Sequence, residues 1–171
     1  MRSLFNRWRT PAHEVQPLYT ALVGEARRPA WYVEGGVADS LDGRFAVLAS
    51  LVALAIVRLE DGSESAVRGS VALTESFIAD MDAQMREQGF GDPSIGKQVR
   101  SMVGALASRV DRWRLARGGD VAWADAVCFS IYRDVPPAAE SAATFSGEAL
   151  RRFDEGMAGA SDEALLKGVL A

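Results

Sequence analysis

The run Phe45–Val57, reading FAVLASLVALAIV, places thirteen largely apolar residues between Arg44 and Arg58. It falls short of the roughly 18–20 apolar residues that cross a bilayer, and it begins too far along the chain to be the core of a signal peptide. As a helix it is apolar on most sides, so other helices must surround it. Asp39, Ser40 and Asp42 stand just ahead of it as N-caps, which sets the helix at about Leu41–Leu59. Asp61-Gly62-Ser63 then signals a turn. Arg44 falls near the helix start, where its charge opposes the dipole and calls for a carboxylate partner.

The helices that cover this run are specified on both sides of it. A first helix is expected over about Glu14–Arg27, with Val15, Leu18, Leu22, Val23 and Ala26 inward and Pro17 confined to its opening turn. Residues 29–41 form a connection in which the adjacent aromatics Trp31 and Tyr32 either pack on the core edge or face a partner. The stretch LTESFIADMDAQMREQGFGD (Leu73–Asp92) repeats Phe77, Met81 and Met85 at i, i+4, i+8, with Leu73 and Ile78 widening the stripe. That helix spans about Ser70–Gln88; Gly89 and Gly91 end it, and Asp92-Pro93 starts the next as N-cap and first helical residue. The next runs to about Arg117, with Ile95, Val99, Met102, Leu106, Val110 and Trp113 inward and a basic second half.

Gly118-Gly119 breaks the chain, and Asp120 caps a fifth helix to about Arg133. Pro136-Pro137 opens a spacer, and Ser146 and Ser161 read as caps for short helices at about 147–158 and 162–170. No alternating strand pattern of useful length is present. The expected fold is therefore all-α: a single-domain bundle of about five main helices plus two short C-terminal helices, over residues 14–171. Residues 1–13 form a flexible basic N-terminal segment, with Arg2, Arg7 and Arg9 beside Leu4, Phe5 and Trp8. Such a segment is either a solubilising terminus or a contact for an anionic membrane surface.

The inventory of reactive groups is thin. His13 is the only histidine and Cys128 the only cysteine, so a catalytic triad, a histidine metal site and an internal disulfide are excluded. A net charge of −4 and a pI near 5.1 argue against general nucleic-acid binding and against DNA as a partner. Asp80 and Asp82 point to different helix faces, which leaves no obvious acid–base pair. We expect no enzyme, no metal and no cofactor. Cys128, between Val127 and Phe129, reads as a small buried hydrophobe.

Two blocks carry a family likeness. GVADSLDGRFAVL (Gly36–Leu48) and FIADMDAQMREQGFGD (Phe77–Asp92) stand in order, preceded by LYTALVGEARRPAWY (Leu18–Tyr32). Together they resemble the ubiquinol–cytochrome c chaperone family over about Leu18–Trp113. Ala38 stands where that family tends to have proline, and Ala107-Ser108-Arg109 where it tends to have an aromatic, glycine and arginine. The resemblance implies an assembly factor for respiratory complex III that binds newly made cytochrome b. It would work on the cytoplasmic side, peripherally at the inner membrane, with the ribosome or a small partner protein as further contacts.

The candidate client- or partner-binding residues are then Trp31, Tyr32, Asp39, Arg44, Phe45, Asp80, Met81, Arg86, Asp92 and Arg109. Met81, Met85 and Met102 supply either adaptable contact surface or core. Arg44 is expected to reach Asp80 or Asp82, and Arg86 an acid at Asp39 or Asp42. The alternative function is a helical adaptor that sits on the ribosome or an anionic membrane through its basic fourth helix, at Arg112, Arg114 and Arg117.

Overall fold

The computed structural model describes residues 12–87, 89 and 92–170. In chain order the helices are α1 (Ala12–Ala26), α2 (Ala30–Val33), α3 (Leu41–Glu60), α4 (Glu64–Glu87), α5 (Asp92–Gly118), α6 (Trp123–Tyr132), α7 (Glu140–Gly159) and α8 (Asp162–Leu166). The described residues contain no strand, and the all-α bundle is as expected. Of the expected N-terminal segment 1–13, residues 1–11 lie outside the described residues, and residues 12 and 13 belong to α1.

α3 takes the central place that its composition demands. It packs against α1, α4, α5, α6 and α7, and every residue from Ala46 to Val57 is buried. Ser50, the one polar residue of that run, is satisfied by donating to the carbonyl of Ala46 at 2.7 Å. Ser40 is its N-cap, accepting from the amide of Gly43 at 3.2 Å. At the other end Arg58 donates to the carbonyls of Met157 and Ala160 and pairs with Asp162 at 3.0 Å. Asp162 also accepts from the amide of Ser63 at 2.7 Å. That amide, more than Arg58, holds its carboxyl below the usual carboxylate range. One arginine thus ties the end of the central helix to the start of α8.

Several boundaries differ from the expected ones. α4 starts at Glu64, six residues before Ser70, and runs straight through Gly69. A Cβ there would lie 2.6 Å from Cδ2 of Leu166, so the glycine marks the close approach of α8 rather than a break. α7 starts at Glu140 and is a full helix of 20 residues. Ser146 lies inside it, buried against the Tyr132 hydroxyl at 2.8 Å, and caps nothing. α6 starts at Trp123 after Ala122, not at Asp120. Pro17 is the sixth residue of α1; the ladder bond it forgoes is to residue 13, next to the start of the helix, where the cost is small. Gly89 has φ of +78°, as the corner after α4 requires.

Candidate functional site

The ends of α1, α3, α4 and α6, α2 with the loop after it, and the middle of α5 border a groove of about 1480 Å³. Seven of the predicted site residues line it: Tyr32, Asp39, Arg44, Phe45, Asp80, Met81 and Arg109. The other three do not meet there. Trp31 is buried on the opposite side of α2, donates to the carbonyl of Glu25 at 3.0 Å, and packs edge-on to Phe145. Arg86 lies exposed on α4, and Asp92 opens α5, its side chain lying outside the described residues.

The ion pairs across the groove are not those expected. Arg44 pairs with Asp39 at 2.8 Å and does not reach Asp80 or Asp82. Asp39 precedes the Ser40 N-cap, so the turn itself brings the two groups together before another helix can. The hydrogen bond from Arg44 lowers the Asp39 carboxyl below its ordinary range. Arg86 pairs with Asp82 one turn earlier, at 2.8 Å, while Asp42 is taken by Arg133 at 3.0 Å. These exposed pairs contribute little individually, because solvent screens them. They do fix which charges remain uncommitted.

Asp80 is engaged from below. It accepts from the Tyr19 hydroxyl at 2.6 Å and from Nε2 of Gln84 at 3.0 Å, which joins α1 to α4 under the groove. Burial, reinforced by Asp80, pushes the Tyr19 phenol well above its ordinary value near 10. Since the unfolded phenol ionises first, stability is undiminished below pH about 10 and falls as pH rises beyond it. Tyr19→Phe is expected to cost about 1.5–3 kcal/mol near neutral pH and to flatten the alkaline decline. Urea unfolding at pH 7 and pH 11 checks both; equal alkaline slopes in the two proteins would refute the assignment.

Met81 and Met85 are almost fully buried yet line the groove, and Met102 is half-buried beside them. They serve as core and wall together, the soft side of a surface that adapts. Phe45 is also half-buried and rests on the buried ring of Phe77, 5.8 Å between centroids. Val33 and Leu41, among the most exposed large apolar residues described, stand on the rim.

Arg109 is the unusual member. It is only 6% exposed. Its Nε donates to the carbonyl of Ser130 at 3.0 Å and its Nη1 to that of Ala105 at 2.9 Å. Its guanidinium lies 5.6 Å from the Phe45 ring centroid, a cation–π arrangement. Desolvation, with Arg133 adding repulsion, pushes its pKa down to about 10. Leu106, Arg109, Val110 and Trp113 fall at i, i+3, i+4, i+7, so the spacing alone places Arg109 on the inward stripe of α5. Arg133 and Asp134 also reach the groove, with φ of 56° and 61°. No sequence signal marks them, since neither is the glycine or asparagine expected at a left-handed helix end.

The basic half of α5 is largely used within the fold. Arg112 lies over the Phe129 ring, Arg114 bonds Glu60 and Asp111, and Arg117 reaches Asp154 and Asp61. Burial raises the Asp154 carboxyl despite Arg117 beside it. Cys128 is half-buried. Among the described residues no helix is long and apolar enough to cross a membrane, and no group of three or more His, Cys, Asp and Glu is placed to hold a metal ion.

The crystal structure of the Cbp3 homolog from Brucella abortus is similar to this chain, with a TM-score of 0.76 at 24% identity over 91% of this chain and 86% of that one. At that identity the likeness shows a shared fold. No curated protein matches the chain. The family model described as ubiquinol-cytochrome C chaperone matches residues 33–171, a span that contains both sequence blocks and most of the groove's lining. The chain is a member of the ubiquinol-cytochrome C chaperone family.

Proposed function

We propose that the protein is a non-catalytic assembly chaperone that receives newly made cytochrome b during the biogenesis of ubiquinol–cytochrome c reductase. On this reading it works peripherally at the cytoplasmic face of the inner membrane. The observation that carries the reading is the groove, into which the Gly36–Leu48 and Phe77–Asp92 blocks both send side chains. An unassembled membrane helix exposes apolar surface at a cost of about 25 cal/mol per Å². A groove with methionine walls, a half-buried phenylalanine and a charged rim offers that surface a reversible home. Asp39, Asp42 and Asp80 are held by Arg44, Arg133 and the Tyr19 hydroxyl, which supports a binding role over a chemical one.

Tagged protein recovered from solubilised membranes is expected to bring down cytochrome b. A deletion strain should show reduced complex III with other respiratory complexes intact. Normal complex III in that strain would overturn the proposal. Loss of ribosome or liposome co-sedimentation on reversing charge at Arg112, Arg114 and Arg117, with cytochrome b recovery unchanged, would instead support the adaptor reading.

A further inference from the structure

We propose that Arg109 is a receptor for a carboxylate, and that the groove accepts an apolar helical segment carrying a single acidic side chain. This rests on the reading of the groove as the client surface and names what that surface selects. A guanidinium has five N–H groups in a fixed fork. Two of them are used by the carbonyls of Ser130 and Ala105, and no carboxylate stands within ion-pair distance of Arg109 among the described residues. Nη2 donates to nothing in the described chain and belongs to a residue that lines the groove.

The neighbouring acids cannot serve in its place. Asp39 is committed to Arg44, Asp42 to Arg133, and Asp80 to Tyr19 and Gln84. The result is a buried positive charge held in position, with donors left over and no counter-ion among the described residues. Buried charges are ordinarily paired, because an unpaired one keeps its desolvation cost without the return. A carboxylate entering the groove would complete the pair through charge-assisted hydrogen bonds, with a guanidinium that the fold already holds largely out of water.

Size and rim charge select the kind of molecule that brings it. The groove is larger than the roughly 300–1,000 Å³ of small-ligand pockets. A helix about 10 Å across, laid in by its apolar face, suits it better. Asp39, Asp42, Asp80, Glu87 and Asp134 line the same groove against Arg27, Arg44, Arg109 and Arg133, so its charge is nearly balanced and offers no excess of cations to a multiply charged anion such as a phosphate group. One carboxylate on an otherwise neutral apolar helix meets the buried cation without confronting that rim.

The test uses the full-length chain and a labelled, end-capped helical peptide of leucine, phenylalanine and alanine with one central glutamate, compared with its glutamine twin by fluorescence anisotropy. The glutamate peptide is expected to bind about tenfold more tightly or better, since a charge-assisted pair is roughly twice as strong as a neutral hydrogen bond. That preference should vanish in Arg109→Met and partly persist in Arg109→Lys. The twin comparison on the unaltered protein needs no variant to fold. Equal binding of the two peptides would overturn the carboxylate receptor and leave the groove as a client surface. A preference that survives Arg109→Met would overturn the assignment to Arg109. Binding of neither peptide would overturn this proposal together with the reading of the groove on which it rests.

Discussion

Phe77→Ala is expected to destabilise the protein by about 3–5 kcal/mol, which for a chain of this size lowers the melting temperature by about 2–4 °C per kcal/mol. Phe77 is fully buried on α4 and carries the Phe45 ring, which in turn lies beneath the guanidinium of Arg109. Removing the ring opens a cavity under the groove as well as in the core. Phe77→Leu retains most of the volume and should cost less than about 1.5 kcal/mol. Urea unfolding of both variants measures the two costs. The groove reading adds a second expectation, that the alanine variant loses peptide binding even at temperatures where circular dichroism reports full helix content. An unchanged urea midpoint for Phe77→Ala would show that the ring is not packed as described.

The second large effect is expected at Gly43. In an exposed helix, replacing glycine with alanine gains about 1 kcal/mol of helix propensity. Here a Cβ would overlap the carbonyl oxygen of Ala38 and lie 3.0 Å from its carbon and 3.1 Å from Cγ1 of Val37. The obstacle is backbone, and it belongs to the turn whose Ala38 carbonyl accepts the amide of Ser40 at 2.8 Å. Any shift that admits the methyl group disturbs the N-cap of α3 and the Asp39–Arg44 pair beyond it. Gly43→Ala is therefore expected to cost about 2–3 kcal/mol net, within the range for overpacking. A raised melting temperature would show that the turn can give way. The glycine of the Asp-Gly-Arg-Phe sequence thus serves close packing, while its arginine and phenylalanine serve the groove.

The parts of the fold that could be read from the sequence are those where pattern and burial coincide. α3 was legible because thirteen largely apolar residues leave no exposed face. The stripe of Leu73, Phe77, Met81 and Met85 is buried as its spacing requires. α7 was not legible at its start: the small residues after Pro136-Pro137 read as a spacer, and packing against α6, α3 and Trp31 makes them worth ordering as a helix. Ser146 had the chemistry of a cap but meets Tyr132 within the helix instead. The fifth helix was expected from Asp120, but α6 starts at Trp123 and buries Ala126, Val127 and Ile131, leaving Ala124 exposed.

The candidate site was legible as residues and not as pairs. The two blocks contain most of its walls, yet Arg44 found Asp39 five positions away before any tertiary partner. Local geometry is satisfied first when a turn already brings opposite charges together. Arg109 is among the expected site residues, and its spacing with Leu106, Val110 and Trp113 also signals its burial, a charge at an inward position of an apolar stripe. Trp31 misled in the other direction, because an aromatic pair in a connection looks available until a short helix turns one ring into the core.

The tie between Arg58 and Asp162 also has a consequence in time. The two residues are separated by 104 positions. At synthesis rates of about 5–20 residues per second, the central helix must wait on the order of 5–20 s for the aspartate that satisfies its last arginine. Until then the part of α3 that packs against α7 stays uncovered. A chaperone of this build passes through its own unprotected interval on the ribosome, and its productive yield depends on how quickly its tail arrives.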